Sequence, residues 1–135
     1  MADEDLGALC VRVTRRLIDA ERPLLDARGL SMWAYVALTH LAEAPAPTQM
    51  ALAEQMGYDK TRLIAILDQL AEEGLIERAP DPEDRRARIV RLTAAGRARQ
   101  LEAQADIRAM ESELLDGLSD AERATLREVL AKLAG

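Results

Sequence analysis

Five arginines fall within fourteen residues of this chain: Arg78, Arg85, Arg86, Arg88 and Arg91. They flank the turn-forming run Ala79-Pro80-Asp81-Pro82-Glu83-Asp84, which separates two strand-like segments, Leu75-Ile76-Glu77-Arg78 and Arg88-Ile89-Val90-Arg91-Leu92. A planar guanidinium fork suits bidentate contact with phosphate oxygens, so a row of them on a hairpin points to a polyanion. Residues 78–99 hold seven basic and three acidic side chains, a local charge of +4 on a chain of net charge −6. Residues 1–77 carry −6 and residues 100–135 carry −4. Screening over about 8–10 Å hides the distant acids from a ligand at the hairpin. The blander alternative is a solvated charged face. The concentration of arginine on one hairpin favours a wing that reaches nucleic acid.

Other chemistries find little support. One Cys and one His cannot build a structural zinc site or an intrachain disulfide. No Gly-rich phosphate loop occurs, and the carboxylates are dispersed over helix faces, so the chain does not read as an enzyme and no cofactor or metal is expected. The first residues, Met1-Ala2-Asp3-Glu4-Asp5, are acidic where a secretion signal would be basic, and no long apolar run follows. A cytoplasmic protein with no membrane partner is the expectation. At 135 residues, 49% hydrophobic and 31% charged, the chain makes one globular domain. Its aromatics are Trp33, Tyr35 and Tyr58, so aliphatic side chains and Met must fill the core.

The elements that hold the hairpin are helical. Leu6, Leu9, Cys10, Val13, Leu17 and Ile18 mark one face of a helix from Leu6 to about Ala27, with Cys10 as a small buried thiol on that stripe. Gly29 stops it, and Ser31 caps a second helix from Met32 to about Glu43. After Ala44-Pro45-Ala46-Pro47, Thr48 caps a short helix, Gln49 to Met56, with Met50, Leu52, Ala53 and Met56 as its apolar positions. Gly57-Tyr58 turns the chain, and Asp59 caps a helix from Lys60 to about Glu73 that buries Leu63, Ile66, Leu67 and Leu70. Two helices joined by such a turn form a helix-turn-helix, whose second helix can enter the major groove. After the hairpin, Thr93 caps a long helix from Ala94 to about Gly117, with Leu101, Ile107, Met110, Leu114 and Leu118 apolar. Ser119 and Glu122 form a capping box for a last helix with Leu126, Val129, Leu130 and Leu133 on its inner face. The terminal helices carry more apolar surface than a small lobe can cover, which implies a homodimer. The fold class is therefore mainly α with a small β-hairpin wing: a winged helix-turn-helix core plus N- and C-terminal dimerisation helices.

This order of elements resembles the MarR family of winged helix-turn-helix transcriptional regulators over nearly the whole chain. The most specific part is Leu70 to Gly96, LAEEGLIERAPDPEDRRARIVRLTAAG, with leucine and glycine before the wing, Asp-x-Arg within it and Leu-Thr-x-x-Gly after it. The resemblance implies a single domain over residues 1–135, with a DNA-binding lobe at about 31–98 and dimerisation helices at about 5–28 and 99–135. It places the wing motif on Asp84-Arg85-Arg86, with Arg86 entering the minor groove and Asp84 holding its guanidinium. On the recognition helix, Lys60, Thr61, Arg62 and Ala65 face double-stranded DNA; Ile64 and Ala65 stand where the family often has polar or basic residues, which shifts weight from base hydrogen bonds to shape. Thr48 and Gln49 at a helix start, and Arg78 and Arg88 on the wing strands, are candidate phosphate contacts. Family members often respond to small aromatic or phenolic effectors, for which Arg16, Trp33, Tyr35 and His40 are candidate lining residues. The implied function is a homodimeric repressor released from a pseudo-palindromic operator by such a ligand. One alternative is an oxidant-sensing repressor working through Cys10; another is a winged-helix protein-interaction module, against which the basic wing argues.

Overall fold

Five of the six helices begin on the side chain that their sequence offers as a cap. In the computed structural model, which describes residues 3–135, these helices are α1 (Leu6–Ala27), α2 (Met32–Glu43), α3 (Gln49–Met56), α4 (Lys60–Glu72), α5 (Ala94–Leu114) and α6 (Asp120–Ala134). Ser31 accepts from the Ala34 N–H at 3.1 Å, Thr48 from Ala51 at 3.0 Å, Asp59 from Arg62 at 2.9 Å and Thr93 from Gly96 at 3.0 Å. Ser119 and Glu122 complete the reciprocal capping box. Each cap satisfies a backbone donor that the first helical turn leaves free, worth about 1 kcal/mol. Gly57 takes φ 63 between α3 and α4, a left-handed conformation that side-chain-bearing residues rarely adopt.

Strands β1 (Ile76–Pro80) and β2 (Arg88–Leu92) pair antiparallel, with Ile76 opposite Leu92 and Pro80 opposite Arg88. The first strand thus starts one residue later than the sequence pattern suggests and runs through Pro80. Leu75 is instead a fully buried residue in the bend between α4 and β1, and the two-stranded sheet has only edges, where a Pro costs little. Ala46, from the proline-rich link between α2 and α3, exchanges two backbone hydrogen bonds of 2.9 Å with Val90. That bridge fastens the root of the wing to the lobe.

Leu38, Leu41, Leu52, Leu63, Leu67, Leu70, Leu75 and Val90 form the fully buried centre of the lobe. The start of α5 is built into it at contact distance. A Cβ placed on Gly96 would lie 1.9 Å from the Leu75 carbonyl oxygen, so no other residue fits without moving backbone. Thr93 supports the same junction: its hydroxyl donates to the Gly74 carbonyl at 2.6 Å, and its N–H donates to Leu75 at 3.1 Å. The Leu-Thr-x-x-Gly motif is thus a packing device joining the hairpin, the end of α4 and α5.

The terminal helices look different. Leu25 is the one buried residue of α1, and α6 buries none. Leu6 is 65% exposed and Leu133 68%, with Leu9, Val13, Val129 and Leu130 also exposed. Cys10, expected as a buried thiol, is exposed, because its stripe faces solvent along the N-terminal half of α1. Leu101 also points outward, the inward face of α5 being Gln100, Ala103 and Ile107. Met50 is likewise exposed on α3. The long helix stops at Leu114 rather than near Gly117, since Leu115 to Leu118 form a turn in which Leu118 N–H reaches the Leu115 carbonyl at 2.9 Å. Asp116 and Gly117, both weak helix formers, occupy that turn.

Candidate nucleic-acid interface

Helix α4 buries Leu63, Leu67 and Leu70 and so turns Thr61, Arg62, Ala65 and Asp68 outward. Lys60 is exposed at its start, and Ile64 is half-buried. The spacing of Thr61, Ala65 and Asp68 puts them on one stripe. Gly57 and Tyr58 fold α3 back beside α4, with the Tyr58 N–H on the Ala53 carbonyl at 3.0 Å. Tyr58 also stacks on Trp33 of α2, ring centroids 4.2 Å apart, which braces the turn preceding the recognition helix.

The wing stands beside that outward face. Arg78 of β1 donates to Asp68 of α4 at 2.7 Å, so the wing strand and the exposed stripe of the helix are tied together. Arg78 was expected to contact phosphate; here its guanidinium holds the wing to α4, and its Nε is buried with no partner. Arg91 pairs with Glu77, its cross-strand neighbour. The arginines of the tip behave otherwise. Among the described residues, Arg85, Arg86 and Arg88 form no ion pair, and all three are exposed.

The tip itself is shaped by its aspartates. Asp81 accepts from the Glu83 N–H at 2.9 Å, and Asp84 accepts from the Arg86 N–H at 3.0 Å. The Asp81 N–H reaches Ala87 and the Ala87 N–H reaches Asp84, closing the loop on itself. Asp84 thus orients Arg86 through its backbone and not, as expected, through its guanidinium. In this Asx turn one oxygen of the Asp84 carboxylate takes the Arg86 N–H, and the carboxylate makes no ion pair with the Arg86 guanidinium. The Arg86 side chain is left extended into solvent from a fixed main chain.

The remaining candidates separate. Thr48 accepts as the cap of α3, and the Gln49 amide oxygen is buried without a partner; both residues are half-buried at the helix start. Arg16, Trp33, Tyr35 and His40 line none of the principal cavities among the described residues. Trp33 is committed to Tyr58, and Arg16 is exposed on α1. Tyr35 is half-buried among Glu21, Arg108 and Glu111, and burial raises its phenol above the ordinary value. Burial likewise raises the Glu21 carboxyl, with Glu111 adding to the effect. Sequence reasoning missed the partnership of Asp68 with Arg78 and that of Tyr58 with Trp33. Long-range side-chain partners leave no periodic trace in a single sequence.

Residues 28–87 match the family model described as MarR family. A probable transcriptional regulator from Pseudomonas aeruginosa is 32% identical, covers 97% of this chain and 98% of its own, and superposes with a TM-score of 0.82. A MarR family protein of Mycobacterium tuberculosis, solved in complex with DNA, is 27% identical with a TM-score of 0.85, over 98% of this chain and all of its own. The transcriptional repressor CouR bound to a 23-mer DNA duplex is 28% identical with a TM-score of 0.87, over 97% of this chain and 93% of its own. CouR from Rhodococcus jostii RHA1 has also been solved with p-coumaroyl-CoA, at 26% identity, TM-score 0.81, and coverage of 97% and 92%.

Proposed function

The chain belongs to the MarR family and is a DNA-binding transcriptional regulator; on that premise we propose that it acts as a homodimeric repressor that reads a two-fold operator. The observation that carries this is the Arg78–Asp68 tie, which sets the wing beside the exposed stripe of α4 and leaves Arg85, Arg86 and Arg88 free of protein partners. The recognition helix then lies in the major groove with Thr61, Arg62 and Ala65 toward the bases, and Arg86 reaches the adjacent minor groove. Lys60 and Arg88 supply phosphate contacts. Few base hydrogen-bond donors are available on α4, so sequence preference comes largely from groove shape.

Dimerisation is supported by a groove of about 410 Å³ between α1 and α6, lined by Leu9, Val13, Leu17, Leu126, Leu130 and Leu133. An apolar surface of this extent on a small protein favours a partner, and a second copy offers the matching face. In this reading residues 31–98 form the DNA-binding lobe and the flanking helices form the dimer. The effector is a small aromatic compound; CouR, solved with p-coumaroyl-CoA, supports the aromatic group but carries it on coenzyme A. The oxidant-sensing alternative is weaker, because Cys10 lines the very groove that the second copy fills.

Duplex selection from a random library by the wild-type protein tests the reading. It should recover pseudo-palindromes with half-sites about 34–36 Å apart. The protein should sediment as a dimer, and affinity should fall steeply with salt through counterion release. A monomer without salt-dependent DNA binding would contradict it.

A further inference from the structure

Two routes join the lobe to the terminal helices. One is α5, a single rod whose start is locked against Leu75 by Gly96 and whose Gln100 reaches Thr39 of α2 at 3.4 Å. The other is the short link Arg28–Ser31, which turns from α1 into α2 through Gly29 at φ 70. A four-residue link with a left-handed glycine is the natural place for the lobe to tilt.

Leu30 anchors that link in the core, and Arg28 and Arg99 hold it to the rod. Arg28 donates to Asp106 twice, from Nε at 2.8 Å and from a terminal nitrogen at 3.3 Å, and to Glu102 at 3.1 Å. Arg99 returns the contact, donating to the Arg28 carbonyl at 2.8 Å. Arg99, Glu102 and Asp106 follow one another at helical spacing, so one face of α5 grips both the main chain and the side chain of the link. Hydrogen bonding to Arg28 holds the Asp106 carboxyl below its usual range. Partial exposure of all three side chains limits what the clamp adds to folding stability. Its geometry is nonetheless specific, because a fork bound on two sides permits one angle between link and rod.

We infer that Arg28, clamped between Asp106 and Glu102, is a positioning residue that sets the tilt of each DNA-binding lobe and so the half-site spacing the dimer accepts. The inference rests on the two-fold reading above. Loss of the guanidinium would leave the link held to this face of α5 only through Arg99 and the main-chain carbonyl at position 28.

The experiment uses duplexes selected by the wild-type protein, together with versions carrying two extra base pairs between the half-sites. Wild-type protein should lose about a hundredfold in affinity for the lengthened duplexes, and Arg28→Ala about tenfold, a change in coupling of ordinary size. Affinity for the selected spacing should fall only slightly, with dimerisation and the thermal midpoint little changed. The exchanged pair Arg28→Asp with Asp106→Arg should recover part of the discrimination. Should Arg28→Ala fail to fold, Asp106→Asn carries the same test, since it keeps the Glu102 contact but loses the fork. A spacing profile identical to wild type in the variant that folds overturns the inference alone. A wild-type protein indifferent to spacing overturns the two-fold reading and this inference with it.

Discussion

The DNA-binding lobe and the terminal helices solve opposite problems with similar sequence patterns. Both carry apolar residues at steps of three and four. In the lobe those residues vanish into one core: Leu63, Leu67 and Leu70 of α4 are buried against α2, α3 and the wing. On α1 and α6 the same periodicity leaves Leu6, Leu9, Val13, Leu130 and Leu133 in solvent. An amphipathic stripe therefore says that a face will be covered, and does not say by what. The lobe is complete within one chain. The terminal helices become complete only in the proposed dimer, which separates the part that reads DNA from the part that sets how two readers are spaced.

The largest effect expected of breaking this contrast comes from the helices. Leu130→Asp, which puts a charge into the α1–α6 groove, should dissociate the dimer. It should lower affinity for a two-half-site duplex by about a thousandfold, because the second half-site no longer benefits from tethering. Sedimentation should then show a folded monomer with its lobe intact; a stable dimer would show that other surfaces hold the copies together. The next largest effect belongs to the lobe. Gly96→Ala places a methyl group on the Leu75 carbonyl and should destabilise the fold by about 3 kcal/mol. Chemical denaturation measures this directly, and a loss below about 0.5 kcal/mol, the range of unremarkable surface changes, would show that the α5 junction is looser than its geometry.

Local features were legible in the sequence, and distant ones were not. Ser31, Thr48, Asp59, Thr93 and Ser119 were all readable as caps because a cap acts within three residues of itself. The wing followed from its Pro-Asp turn, and the family resemblance from Leu70 to Gly96. What a single sequence does not reveal is settled by partners far along the chain. Arg78 is held by Asp68, ten residues away and on another element, so it serves the wing's attachment before any phosphate. Trp33 stacks on Tyr58, in the turn before α4. Asp84 was correctly placed beside Arg86, but the atom it grips is the backbone nitrogen, a choice that only the loop's conformation reveals. Cys10 was placed on an apolar stripe, and the stripe turned out to have no cover within the chain.

The central claim is that the wing delivers Arg86 into DNA from a main chain fixed by Asp84. It is tested most directly by titrating Arg86→Ala against wild type on one selected duplex at one salt concentration. The account predicts a loss of about thirtyfold, or about 2 kcal/mol, with thermal midpoint and dimerisation unchanged. Equal affinity of the two proteins would contradict it.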